Sequence, residues 1–198
     1  PKQRLALRPE GTAGVVRAVV ENNLVPQGST PFKAYYAEAM FRGERPQKGR
    51  LRQFHQVGIE WLGAPDPAAD AECIIMLMEF YKRLGFDLSK LRLLINSMGD
   101  AQCRPAYREQ VKQFILDHAD EMCDECREHY DAVKVLLDGA GVVYEEDYKL
   151  VRGLDYYTRT VFEVQVDNGM GAQNAIGGGG RYDKLAEEVG GRPTPGLG

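Results

Sequence analysis

Between Phe41 and Arg52 the chain reads FRGERPQKGRLR, in which Arg42, Arg45, Lys48, Arg50 and Arg52 face a single acid, Glu44, with Gly43, Pro46 and Gly49 as turn formers. Guanidinium groups match phosphate oxygens through paired N–H donors, so an Arg-rich hairpin tip suits a polyphosphate. A solvated basic loop has the same composition, and no Walker-type glycine pattern accompanies this one. The next segment, RQFHQVGIEWL, separates the two readings better. Strand alternation places His55, Val57, Ile59 and Trp61 on one face and Phe54, Gln56, Gly58, Glu60 and Leu62 on the other. The first face is expected to be core, with His55 a packed histidine rather than a ligand or base. On the second, Gln56 and Glu60 flank a residue with no side chain, which leaves room for a small polar ligand between an amide and a carboxylate. A plain solvent-facing strand is the competing reading.

Two later segments could complete a pocket. In LVRGLDYYTRTVFE, Leu150 to Glu163, Arg152 and Asp155 stand with Tyr156 and Tyr157 in a Gly-broken loop ahead of a strand. Aromatic walls with few polar groups suit a small molecule, although both tyrosines could equally be core. In IGGGGRYDKL, Gly177 to Gly180 bare the backbone, either as a linker or where backbone must approach a ligand closely; a position between strand and helix favours close approach. Cys123-Asp124-Glu125-Cys126 is a lone CxxC. Without a second pair or a suitably spaced His it is not expected to hold zinc or any other metal, and its acidic filling does not suit redox work. No disulfide is expected between its cysteines.

These residues need elements to carry them. Thr12 is placed to cap a helix that runs to about Asn22 or Asn23, with Val16, Val19 and Val20 on one side. Pro31 to Phe41 and Leu51 to Leu62 read as strands of a long hairpin around the basic loop. Asp66 and Pro67 open a second helix that Gly85 closes. Strands are expected over Leu91 to Ile95, Val142 to Glu145 and Thr158 to Val166, with a turn at Asn96 to Gly99 and a short helix near Tyr182 to Val189. After Pro105 neither Gly nor Pro appears until Asp138 is passed, so pattern alone draws one helix of about 34 residues, far beyond the common length of about 11 to 12. Two helices broken between about Met122 and Glu128 are therefore expected.

The 198 residues carry 25 Lys plus Arg against 29 Asp plus Glu, a net charge of −4, with 43% apolar residues. That composition supports a sizeable core and excludes a general nucleic-acid coat, while leaving room for a local basic patch. A mean hydropathy of −0.40 and no apolar run near the roughly 20 residues of a bilayer span argue against a membrane protein. Four cysteines and three histidines do not make a disulfide scaffold, and no basic-then-apolar leader opens the chain, so a reducing cytoplasm is expected.

Four segments in order, LRPEGTAG (Leu7 to Gly14), FRGERPQKGRLRQFHQVGIE (Phe41 to Glu60), LVRGLDYYTRTVFE and GGGGRYD (Gly177 to Asp183), resemble the catalytic core of the histidyl-tRNA synthetases, which are class II aminoacyl-tRNA synthetases. The resemblance implies an α+β fold, an antiparallel sheet flanked by helices, and a ligase that joins histidine to tRNA(His) through histidyl-adenylate. By it, Arg42 and Arg152 are catalytic at the α-phosphate, and Glu44 and Arg50 also bind ATP, which enters with Mg2+. Glu10, Thr12 and Gln56 take the α-amino group of histidine, Glu60 and Tyr157 the imidazole nitrogens, and Gly178, Gly179 and Tyr182 close the pocket. Histidine, ATP and tRNA(His) are the implied partners, with a homodimer in the full-length protein and no membrane.

The family's first motif would precede Pro1, its third would continue past Gly198, and it carries a few dozen further residues between Cys123 and Arg127 within a helical insertion. The implied organisation is a catalytic core over 1–100 with the second motif, a partial helical insertion over 101–141 with a segment missing near 123–127, and core with histidine-specific loops over 142–198. The synthetase-like regulatory subunit of ATP phosphoribosyltransferase, a histidine-binding module without aminoacylation, is the alternative. It generally lacks the signature loop, which stands complete here from Arg152 to Tyr157.

Overall fold

Alternation of apolar residues builds a seven-stranded sheet in the computed structural model, which describes residues 6–25, 31–46, 50–100, 102, 122–150, 153, 155–166 and 174–198. Strands β1 (Phe32–Phe41), β2 (Gln53–Leu62), β3 (Leu91–Ser97), β4 (Glu145–Glu146), β5 (Thr158–Val166), β6 (Ala175–Arg181) and β7 (Gly196–Leu197) lie in the order β1-β2-β7-β6-β5-β3-β4. Every neighbour is antiparallel except β3 and β4, which pair in parallel at one edge. The expected antiparallel sheet is thus mixed. Its β4 is only two residues long where Val142 to Glu145 read as a strand, and β3 runs on through Asn96 and Ser97, where a turn was expected.

Helices cover both faces. On one, α2 (Pro67–Arg83) and α3 (Asp124–Gly139) bury Ile74, Tyr81, Val133 and Leu137 against Trp61, Leu93, Ile95, Phe162 and Val164. On the other, α1 (Thr12–Glu21) and α4 (Leu185–Glu188) bury Val16, Val19 and Leu185 against Leu62, Leu94, Val161 and Tyr182. Successive residues of β3 serve opposite cores, as the two-residue period of a strand requires. Among the described residues no helix is long and apolar enough to cross a membrane.

Local chemistry explains the helix ends. Asp66 caps α2 by accepting from the Ala68 amide at 2.8 Å, Pro67 occupies the first turn, and Gly85 leaves it at φ +86°, where a side chain is disfavoured. Thr12 does not cap α1. Gly11 is its cap residue, the Glu10 carboxylate accepts from the Ala13 amide at 3.2 Å, and Thr12 is turned elsewhere. Cys123 has extended backbone (ψ 156°), so α3 starts afresh at Asp124 and no single helix spans Pro105 to Asp138. The break falls inside the expected interval; the earlier of the two expected helices lies outside the described residues.

One buried ionic cluster ties these layers together. Arg181, at the end of β6, is fully buried and donates from Nε to Asp70 Oδ1 at 2.9 Å, and from Nη1 to Asp183 at 2.9 Å and to the Ala64 carbonyl at 3.0 Å. His129 Nε2 of α3 lies 2.7 Å from the other oxygen of Asp70. Burial pushes the Asp70 carboxyl upward, but the hydrogen bond from His129 and the Arg181 charge outweigh it and hold the group below the ordinary carboxylate value of 3.8. The stability it contributes is therefore present above that value and lost as the pH falls through the depressed one. Removing one partner of a buried pair leaves the other charge uncompensated, which costs about 3–5 kcal/mol. Asp70→Ala should lower the urea midpoint at pH 7 correspondingly, and a midpoint within experimental error of the parent would show that the cluster does not hold α2, α3 and β6 together.

Candidate active site

The β1–β2 hairpin sets the geometry. Its register pairs Tyr36 with Gly58, Ala34 with Glu60 and Glu38 with Gln56, so these residues share one face. Gly58 does not leave an open slot for a ligand. A methyl group there would sit 2.3 Å from the Tyr36 ring, and one on Gly11 would sit 2.5 Å from the same ring, so both glycines exist to admit Tyr36. Tyr36 was not singled out from sequence. The signal was the hairpin register, which puts a large aromatic opposite a glycine.

Glu60 is the centre of the site. Only 1% exposed, its carboxylate accepts from Thr12 Oγ1 at 2.7 Å through Oε1 and from the Tyr182 hydroxyl through Oε2. Burial raises its pKa to about 7 from 4.5, against the lowering effect of the bonds from Tyr182 and Thr12, with the Glu10 charge raising it further. Burial, with the Glu60 charge next, likewise raises the Tyr36 hydroxyl. Beside this carboxylate lies a cavity of about 210 Å³ whose walls include Glu10, Thr12, Tyr36, Gln56, Glu60, Tyr156, Tyr157 and Gly178, with Met76, Leu77 and Phe80 of α2 as an apolar side. The Gln56 side-chain oxygen is shielded from solvent and accepts no hydrogen bond from any described residue. Such an orphaned acceptor marks a place where a donor belongs.

The expected pocket residues are thus mostly brought together, with two adjustments. Thr12 spends its one hydroxyl proton on Glu60, so toward a ligand it can only accept. Gly179 does not line the cavity. A methyl group on it would meet the Gly198 carbonyl at 2.0 Å, so its bareness serves the β6–β7 contact, as Gly177 serves Tyr81. Tyr182 stands behind Glu60 rather than in the cavity wall.

The cations lie further along the same hairpin. Arg42 leaves the end of β1 with its guanidinium over the Phe54 ring at 3.8 Å, and its amide donates to the Arg52 carbonyl at 2.9 Å. Arg50 forms an ion pair with Glu44 at 2.7 Å. Partial desolvation, then the Arg50 charge, lower the pKa of Arg42, with the Glu44 charge acting against them. Arg152 lies outside the described residues. The other face of the hairpin departs from expectation: Trp61 is buried, but Val57 is 62% exposed and His55 is exposed, because α2 covers that face only near the end of β2. His55 is neither core nor part of the site. No disulfide joins Cys123 to Cys126.

The family model described as tRNA synthetase class II core domain (G, H, P, S and T) matches residues 1–193, and the chain belongs to that family. Within it, the curated relatives are histidine–tRNA ligases. That of Streptomyces coelicolor is 46% identical over 230 aligned residues, which cover 98% of this chain and 53% of that protein; that of Thermotoga petrophila is 44% identical, covering 98% and 54%. The structure of apo S. aureus histidyl-tRNA synthetase superposes with a TM-score of 0.78 at 37% identity, over 96% of this chain and 53% of that one. A structure described as an ATP phosphoribosyltransferase regulatory subunit/histidyl-tRNA synthetase from Bacillus halodurans gives 0.75 at 23% identity over 96% of this chain and 61% of that one, which shows the fold alone. The chain spans about half the length of the curated relatives it matches.

Since folding raises the Glu60 pKa, the stability it contributes is complete below 4.5 and lost as the pH rises through about 7. The ligand-free protein should show a protonated-carboxyl infrared band that disappears around pH 7 and is missing in Glu60→Gln. Tyr182→Phe should move that titration upward, because it deletes a donor to the ionised form. A Glu60 band already lost at pH 5 would contradict the assigned environment.

Proposed function

We propose that this chain forms the histidine-activating core of a histidine–tRNA ligase, with ATP as co-substrate and tRNA(His) as acceptor. The observation that carries this reading is the unsatisfied Gln56 oxygen in a cavity whose other polar walls, Glu10, Thr12, Glu60 and Tyr157, are rich in acceptors. Such a cavity recognises a small molecule with several N–H donors, and histidine supplies an ammonium group and an imidazole. In this reading Glu10, Thr12 and Gln56 receive the α-amino group, and Glu60 and Tyr157 bind the ring. A carboxyl with a pKa of about 7 can accept from an imidazole N–H when ionised or donate to a bare ring nitrogen when protonated. Gly178 bares backbone at the cavity wall, Tyr182 holds Glu60 from behind, and Gly179 keeps the strand beside it close-packed.

The cations complete a linear array. Arg42 and Glu60 lie on one face of the hairpin, and Phe54, on which Arg42 stacks, is six residues from Glu60, about 20 Å along an extended strand. An adenylate laid along that face sets its imidazole against Glu60 and runs toward the arginine end of the hairpin, and Arg42 turns back from the Phe54 ring to meet the phosphate. The histidine carboxylate oxygen attacks the α-phosphorus, and the bond to the bridging oxygen breaks as pyrophosphate leaves with its electrons. The 3′-terminal ribose hydroxyl of the tRNA then attacks the carbonyl carbon, expelling AMP. Arg42 and Arg152 stabilise charge at the α-phosphate, while Arg50, oriented by Glu44, meets the distal phosphates of the Mg2+–ATP substrate. Residues 101–141 are read as part of the helical insertion; an alignment of 230 positions against a chain of 198 residues supports a longer insertion in the relatives. A cytoplasmic homodimer is the proposed state of the whole protein.

Recognition and chemistry should fail separately in the full-length protein. Glu60→Ala removes a buried polar partner worth about 1.5–3 kcal/mol, or roughly 10- to 150-fold in histidine affinity by calorimetry. Arg42→Ala should leave that affinity within a few-fold while slowing single-turnover adenylate formation by about 10² or more. Normal histidine binding by Glu60→Ala, together with its loss in Arg42→Ala, would reverse both assignments.

A further inference from the structure

The CxxC segment gains a third partner only in three dimensions. Asp100 lies three residues beyond the end of β3, and Cys123 and Cys126 are the cap residue and a first-turn residue of α3. One oxygen of Asp100 and the sulfurs of Cys123 and Cys126 all lie within 4.8 Å of one another. We propose that Asp100, Cys123 and Cys126 bind a thiophilic divalent cation of the zinc class, which ties the turn after β3 to the start of α3.

Distance, charge and position support the site. Tetrahedral zinc holds sulfur at about 2.3 Å and carboxylate oxygen at about 2.0–2.2 Å, so its ligand atoms stand roughly 3.3–3.8 Å apart. The 4.8 Å upper limit on their separation is about an ångström beyond this range, within reach of small side-chain rotations. Two thiolates select zinc over the oxygen-seeking cations. Together with the carboxylate they would leave one surplus negative charge on a dication, which the N-terminus of α3 offsets. Arg159 does so as well, with Nη2 3.9 Å from Asp100 Oδ2. Asp100 is held in place: its Oδ1 accepts from the Gln102 amide at 2.8 Å, and the preceding carbonyl, of Gly99, accepts from the Arg159 amide at 3.0 Å. Arg159 itself has φ +52° within an irregular stretch of β5, so the backbone is bent to bring this turn against the sheet. Cys126 is fully buried and lies three residues before His129, on the helix face that packs on the core. Among the described residues three side chains supply ligands, so one of the four tetrahedral positions remains to be filled from elsewhere.

The test is cobalt titration of the metal-stripped full-length protein under reducing conditions. One cobalt per chain should bind with a thiolate charge-transfer band that zinc abolishes. Cys123→Ser, at a half-buried position, should weaken binding by more than the 10- to 100-fold typical of a lost outer-shell partner, and should weaken the band. Asp100→Asn should weaken binding without removing the band, and circular dichroism should show each variant folded. Absence of a band, a band unchanged in Cys123→Ser, or cobalt affinity unchanged in Asp100→Asn would each overturn the proposal. Recovery of a Cys123–Cys126 disulfide as the resting state of the protein would do the same. Failure here would leave the histidine site untouched, since that site is read by calorimetry with the amino acid.

Discussion

A carboxylate buried with no cation bonded to it among the described residues is the constraint around which the site is organised. Glu60 is nearly inaccessible, yet the groups bonded to it, Thr12 and Tyr182, are neutral hydroxyls. Such a group is tolerable only if several donors converge on it, and here they come from widely separated parts of the chain: the first turn of α1 and the end of β6. Placement of α1 is thereby linked to the site. Thr12 reaches Glu60 because Glu10, not Thr12, satisfies the free amide of Ala13. Cutting the cap from Glu10 and leaving the role to Thr12 would spend the hydroxyl that Glu60 needs.

The second buried acid shows what a purely structural solution looks like. Asp70 is as buried as Glu60 but is met by Arg181 and His129, which pull its pKa down where that of Glu60 is pushed up. Two carboxyl groups in one small domain are thus driven in opposite directions by their partners, the pattern that separates an ionised anchor from a group poised near neutral pH. The satisfied cluster joins α2, α3 and β6. The under-compensated one faces a cavity. Arginine is used where charge must be cancelled permanently and withheld where a ligand supplies the donors.

Sequence pattern made the elements legible because local chemistry decided them. Asp66, Pro67 and Gly85 bracket α2 with their own backbone preferences, and the alternation of TRTVFEVQV is that of β5. What pattern could not carry was tertiary coverage. The His55, Val57, Ile59 and Trp61 face looks like core throughout, yet α2 reaches only its end, leaving Val57 exposed. Glycines misled for a related reason. Gly58 and Gly179 read as room for a ligand, whereas the Tyr36 ring fills the first space and the Gly198 carbonyl the second. The Gln56 and Glu60 pair was legible from period two alone, while Tyr36 needed the register and Asp100 beside the CxxC needed the whole fold.

Tyr36 gives the hairpin its second function. Its ring is wedged between Gly11 and Gly58, and it forms a wall of two cavities at once: the one beside Glu60 and Gln56, and another of about 590 Å³ lined by Arg8, Glu38, Arg17 and the start of α1. A residue of that size held by two glycines cannot swing without moving either α1 or β2, both of which are anchored in the core under Leu62 and Val16. The partition between the two cavities is therefore set jointly by α1 and β2. Nothing about Tyr36 alone indicates this. It follows from the two glycines that face it, and it explains why the segment before α1 and the strand that carries Glu60 both need a residue without a side chain.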